Sequence, residues 1–227
     1  MLGTEAAVGF LTARTGDRDE QAAAKLAIEL GGLPLALEQA GAYIQASGGS
    51  LTGYIVLFRQ RRPEMLTRGE PTGYDSTVAA TWSLAFGELG KSAPQAAGLL
   101  RLLAFCAPEP VPLRLLLQAG RGLPKGLRRP VAKVLKPLAD PLATSDAIAA
   151  LRRYSLVTPA GDKRVSVHRL VQAVTADQIP PGLREAWRAA AAAVVEALIP
   201  ADIKLPGSWT ACAELLPHAR AGGLSLT

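Results

Sequence analysis

YSLVTPAGDKRVSVHRLVQAV, residues 154–174, carries two periodicities back to back. Ser155-Leu156-Val157-Thr158 is short and β-branched, and Pro159, Ala160, Gly161 and Asp162 supply turn chemistry. Arg164 to His168 then alternates polar and apolar, the pattern of a half-buried strand. From there the period lengthens: Val167, Leu170, Val171 and Val174 fall at i, i+3, i+4 and i+7, one face of a helix. The stretch predicts an antiparallel pair at about Leu156–Thr158 and Arg164–Val167, followed by a helix. His168 lies at the junction. Helix N-termini present unsatisfied N–H groups and a positive dipole end, so a His there either caps the helix or meets a phosphate.

Upstream, the pattern is helical. Asp75 or Ser76 caps a helix with Val78, Trp82, Ala85 and Leu89 on one face. Pro94 to Cys106 is the next, with Leu99, Leu102, Leu103 and Cys106 inward, broken by APEPVP at 107–112. Leu113 to Ala119 is a short helix stopped by Gly120. The basic run beyond it reads as a loop with at most a turn near Val131 to Leu135. Thr144 or Ser145 is the expected cap of a helix from Asp146 to Tyr154, burying Ile148 and Leu151. Three helices and then a two-stranded wing is the winged-helix order.

Four shorter helices are expected before residue 59. Thr4 caps one with Ala7, Phe10 and Leu11 on a face, and Asp19 caps a second with Ala23, Leu26, Ala27 and Leu30 inward. Gly31-Gly32 stops it, and Pro34 opens a third, where a missing N–H costs nothing. Leu37, Ala40, Gly41 and Ile44 line that helix; Ser47-Gly48-Gly49 ends it, and Ser50 caps a fourth with Tyr54, Leu57 and Phe58. Arg59 to Tyr74, with two prolines and two glycines, reads as a linker. After Pro180-Pro181-Gly182, a stripe of Leu183, Trp187, Ala190, Val194 and Leu198 marks a long helix, and another begins at Ser208-Trp209. The expected architecture is mainly α: a helical bundle over 1–62, a winged-helix domain over 75–180, and a helical segment over 182–227 that starts a repeat region.

Composition agrees. Of 227 residues 49% are hydrophobic, ample for a core and too many for disorder. Ala and Leu, strong helix formers, dominate. The net charge of +6 is concentrated: Arg114, Arg121, Lys125, Arg128, Arg129, Lys133 and Lys136 lie in a stretch free of Asp and Glu. Such a run is either a solvated face or a contact for nucleic acid or an acidic partner. No aromatic residue interleaves with it, so base stacking gains no support. The two cysteines, Cys106 and Cys212, lie far apart and suggest a reducing compartment. The N-terminus lacks a basic n-region, and the longest apolar run, 189–195, is too short to span a membrane, so a cytoplasmic location is expected.

Gly90-Lys91-Ser92 imitates the end of a phosphate-binding loop, but Ala85 stands where its first Gly is needed, and the context is helical. His168 and His218 are the only histidines and lie too far apart for an obvious metal site; no catalytic set stands out. The expectation is a chain that is not itself an enzyme, without catalytic or metal residues, and without ADP or ATP bound on its own.

Two segments carry a family resemblance. GGLPLAL, residues 31–37, resembles the GLPLA motif of STAND-class signal-transduction ATPases with an NB-ARC module. VHRLVQ, residues 167–172, resembles the Met-His-Asp motif in the winged-helix part of the same module. DSTVAATWSLAF, LLRLLAFCAPEPVPL and ALRRYSLV are similar to bacterial members carrying tetratricopeptide repeats. The resemblance implies an order of P-loop core, helical bundle, winged helix and repeats, in which this chain begins after the core. It implies that Pro34, with Leu35 beside it, packs near the adenine, and that His168 reaches the β-phosphate of ADP. Arg169 stands where the family motif often has Asp.

Two functions are therefore expected. The first is a non-catalytic regulatory part of a signalling ATPase, relaying ADP/ATP state between an upstream P-loop core and a repeat sensor, with nucleotide bound only where that core is present. The alternative is a DNA-binding winged-helix transcriptional regulator. The basic run favours the second; the candidate recognition helix, opening Ser145-Asp146-Ala147-Ile148-Ala149-Ala150, offers no Arg, Asn or Gln to base edges.

Overall fold

A computed structural model describes residues 2–67, 76–117, 120, 123–161, 163–200, 202 and 205–223, with backbone only over 61–67 and 76–80. The protein is mainly helical, and its chain divides into two compact units. The first comprises Met1–Lys91 together with Arg153–Leu156; the second comprises Ser92–Arg152 and Val157–Thr227.

The first unit opens with α1 (Thr4–Thr15), α2 (Glu20–Glu29) and α3 (Pro34–Ser47), and α1 packs on both of the others. Thr4 is the first helical residue and not the cap; the cap is Gly3, extended, whose carbonyl takes the Ala7 N–H at 3.0 Å. Asp19 does cap α2, its carboxylate accepting from the Ala22 N–H at 2.9 Å. Ala23, Leu26, Ala27 and Leu30 are buried as the period required. Gly31 and Gly32 both take positive φ, near 60°, which lets the chain turn at once into Pro34.

Helix α4 (Leu51–Thr67) begins at the Ser50 cap, whose Oγ accepts from Gly53 N–H. It buries Leu51, Tyr54 and Phe58, while Leu57 is 39% exposed. The helix continues through Pro63 to Thr67, over the first half of the stretch expected to be a linker. An unbroken run of charged and long side chains up to Arg62 favours helix and outweighs the proline. Residues 68–74, and the cap expected at Asp75, lie outside the described residues. Helix α5 (Ser76–Ser92) follows, with Trp82, Ala85 and Leu89 buried.

The second unit runs α6 (Pro94–Leu103), β1 (Val111–Pro112), α7 (Leu113–Leu116), α8 (Arg129–Leu135), a short 3-10 turn (Lys136–Ala139) and α9 (Pro141–Arg153). After Leu156 come β2 (Thr158–Pro159), β3 (Arg164–Ser166), α10 (Arg169–Gln178), α11 (Pro181–Glu196) and α12 (Trp209–Ala221). An antiparallel pair is present, with Thr158 opposite Ser166, but its first strand is Thr158–Pro159 and not Leu156–Thr158: Pro159, expected in the turn, pairs with Val165, Leu156 and Val157 precede the strand, and β3 ends at Ser166. A third strand joins it. Val111-Pro112, read from sequence as a helix breaker, pairs with β3, giving the order β1-β3-β2. A proline suits this position because β1 is an edge.

Three other boundaries move. Helix α7 has four residues and ends at Leu116. The basic run is not chiefly a loop: Arg129–Leu135 is helical, and its Val131 and Leu135 are fully buried. Helix α9 starts at Pro141, so Thr144 lies inside it, donating its hydroxyl to the Leu138 carbonyl at 2.9 Å. A proline at N1 was the stronger start signal.

The core of the second unit forms around α6, which packs on α8, α10 and α11. Leu99, Leu102 and Leu103 are sealed, as are Trp187, Ala190 and Val194 of α11. Burying side chains of this size contributes about 1.5–3 kcal/mol each. The crossing of α6 and α8 requires Gly98, since a Cβ there would come 2.2 Å from Val134 Cγ1.

Candidate functional site

Pro34 occupies N1 of α3 and is exposed, Leu35 beside it is half-buried, and Ala36 and Leu37 point into the core. The register is set by the core-facing residues, which leaves the first turn of the GLPLAL segment presenting an apolar edge. Pro34 and Leu35 belong to the first unit; His168 belongs to the second.

His168 is the N-cap of α10. Its backbone is extended, and its Nδ1 accepts from the Leu170 N–H at 3.2 Å. That bond places the remaining ring proton on Nε2 in the neutral imidazole. Burial, and then the Arg169 guanidinium, push its pKa below the usual histidine range. At neutral pH the junction thus offers one uncharged N–H donor beside an exposed arginine, at the positive end of a ten-residue helix.

The rest of VHRLVQ serves the core. Val167, Val171 and Val174 are buried. Gln172, 7% exposed, donates from Nε2 to the carbonyls of Leu103 (2.8 Å) and Cys106 (3.1 Å), tying α10 to the end of α6. Sequence reasoning missed this residue; a glutamine on the apolar face of a helix was the available signal. It also missed a polar cluster in the first unit formed by Arg14, Glu38, Gln39 and Ser155.

The Gly90-Lys91-Ser92 triplet ends α5, a helix of 17 residues, and does not open one. Among the described residues, no three His, Cys, Asp or Glu side chains gather to hold a metal. Cys106 is buried, and burial pushes its thiol up to about 12, which makes it unreactive at neutral pH. The basic run is divided in its uses. Arg114 pairs with Glu214 at 2.7 Å, and Arg128 donates to the Gly182 carbonyl. Arg129 and Lys133 are exposed on α8. Lys125 and Lys136 border a cavity of about 360 Å³ walled by Leu123, Pro124, Leu127 and Ala132. Arg121 lies outside the described residues. The exposed positions in the first turns of α9 are Pro141, Leu142, Ser145, Asp146 and Ala149, a set with no cation or amide to read bases.

No helix among the described residues is long and apolar enough to cross a membrane. Residues 88–183 match the profile of DUF7779, a domain of unknown function. No solved structure matches the chain. A curated protein does: a nucleotide-binding leucine-rich repeat (NLR)-like protein of Hyaloscypha variabilis (strain UAMH 11265 / GT02V1 / F), 28% identical over 165 residues. The match covers 67% of this chain, and the chain spans about 15% of that protein's length. The similarity supports a relationship to NLR-like proteins of the STAND kind.

Proposed function

We propose that this chain is a regulatory, non-catalytic part of a STAND-type signalling ATPase, relaying nucleotide state between a P-loop core and a sensor array. The observation that carries the reading is the similarity, over two-thirds of the chain, to a far longer protein named for nucleotide binding. The element order of the second unit supports a winged helix: helix, strand, three helices in sequence, then a hairpin, with strands ordered β1-β3-β2. In this reading Pro34 and Leu35 offer an apolar edge to adenine, and the Nε2–H of His168 donates to a phosphate oxygen of ADP. Relay then means that ADP and ATP contact two arrangements of the module unequally, since only differential affinity shifts such an equilibrium. The helices α11 and α12 are the start of the sensor array.

The test separates capping from phosphate binding. In a longer protein that includes the ATPase core, His168→Asn keeps an N-cap of the best kind but removes the imidazole donor. Loss of a phosphate contact, about 1.5–3 kcal/mol, predicts that ADP leaves at least tenfold faster in both His168→Asn and His168→Ala. Only His168→Ala also loses about 1 kcal/mol of stability through the cap. An unchanged ADP off-rate in His168→Asn would reduce His168 to a structural cap.

A further inference from the structure

The first unit is completed by four residues from far along the chain. At the last residue of α9 the backbone leaves the second unit, belongs to the first over Arg153–Leu156, and returns to the second at Val157. These residues form the centre of ALRRYSLV, and they meet α3 directly beyond GLPLAL, at Glu38-Gln39.

Ser155 is the point of attachment. Its carbonyl accepts from Gln39 Nε2 at 2.7 Å, and its hydroxyl donates to Glu38 Oε1 at 2.7 Å. Arg14 of α1 closes the set, its Nη2 donating to Glu38 Oε1 at 3.3 Å and to Ser155 Oγ at 3.4 Å. Its Nη1 donates to Gln45 of α3. Beside the polar set, the rings of Tyr154 and Tyr43 lie 6.1 Å apart, tilted.

Three features distinguish this attachment from ordinary core. Ser155 holds φ +50°, the left-handed region that costs a non-glycine residue energy unless its surroundings fix it. The Arg14–Glu38 pair is solvent-exposed by a quarter to a third, so water and salt compete for it. Gln39, in contrast, is only 2% exposed, and its Oε1 has no hydrogen-bond partner among the described residues. A backbone strained at Ser155, and held both by a polar set that solvent partly reaches and by the buried side chains of Tyr154 and Leu156, opens only as a unit, when these contacts are given up together.

We propose that Arg153–Leu156 is a latch, and that Ser155 is its catch: the segment docks on α1 and α3 through Glu38, Gln39 and Arg14, and releases as a local unit. When released, Ser155 relaxes to negative φ, and its hydrogen bonds pass to water. What the latch gates rests on the proposed relay, because the same four residues carry the chain from the end of α9 toward β2. The latch itself does not rest on that reading.

Arg152 and Arg153 make the opening readable, since trypsin cuts after them only when the backbone there is locally released. Under native conditions such cleavage tracks the open population. With the chain as it stands, site-resolved mass spectrometry should find cleavage after Arg152 or Arg153 well before cleavage after Arg188 in α11. Ser155→Ala, which keeps the Cβ and the strain but removes the hydroxyl, should speed the cut about tenfold. Gln39→Leu, which removes the donor to the Ser155 carbonyl, should do the same, and neither variant should change cleavage after Arg188. The proposal is overturned if Arg153 and Arg188 are cut at a common rate that both variants move together, because the segment is then fixed core. A second arm isolates the relay. If Ser155→Ala opens the segment yet leaves ADP release from the longer protein unchanged, the latch stands and the relay reading fails.

Discussion

Gln172→Leu tests whether the VHRLVQ segment owes its last residue to the fold or to a ligand. The amide now serves two carbonyls at the C-terminal end of α6. That of Leu103 also receives the Cys106 N–H at 3.1 Å, so it keeps a partner when the amide goes. That of Cys106 loses the Gln172 bond in a buried setting. Leaving such a carbonyl unsatisfied costs about 1–3 kcal/mol, and the better burial of leucine returns part of it. The expected net loss is about 1–2 kcal/mol, or roughly 2–8 °C in Tm for a chain of this size. Gln172→Glu should be worse at pH 7, because a carboxylate would then face two carbonyl oxygens with no proton to share. Urea titration followed by circular dichroism, checking that the slope is unchanged, measures the loss. A Gln172→Leu chain as stable as the parent would refute the assignment, and with it the idea that α10 is pinned to α6 through this amide.

Gly98→Ala should destabilise by about 1–2 kcal/mol, since overpacking against Val134 exceeds the gain in helix propensity. Val134→Ala in the same chain should restore part of the loss, and thermal melts of the two variants check both. The protein should also lose stability as pH falls from 7 toward 5. His218 is buried, 1% exposed. Burial lowers its pKa from 6.5, against a smaller upward pull from the Pro110 carbonyl and Glu109. The unfolded chain therefore takes up its proton at a higher pH than the folded one, so stability rises with pH across that window. Tm measured at pH 7, 6 and 5 should decline, and His218→Gln should flatten the decline. A Tm that rises on acidification contradicts the assignment.

Much of this protein was legible in its sequence because its signals are local. Period 3.6 with Ala and Leu gave the helices of both units, Asp19 and Ser50 named their helices' starts, and the change of period at His168 marked the junction where the cap is found. What failed were places where a distant partner outweighed a local preference. Val111-Pro112 contains a breaker in isolation, and becomes a strand only because β3 supplies an edge 54 residues later. The basic run holds a helix because Val131 and Leu135 find α6 to bury against. Gln172 and Gln39 are polar letters on apolar faces, and nothing nearby in sequence says which carbonyls they satisfy. Ser155 is the clearest case. A strand was expected from the next residue, Leu156, yet the positive φ of Ser155 and its bonds to Glu38 and Gln39 exist only because folding brings residues 116 and 117 positions apart into contact. Sequence by itself determined which segments are helical and which faces they bury, since these follow from local propensity and period. Which distant groups meet, and so which polar residues carry structure, was decided by the tertiary fold, because a buried hydrogen bond needs a partner that no local pattern encodes.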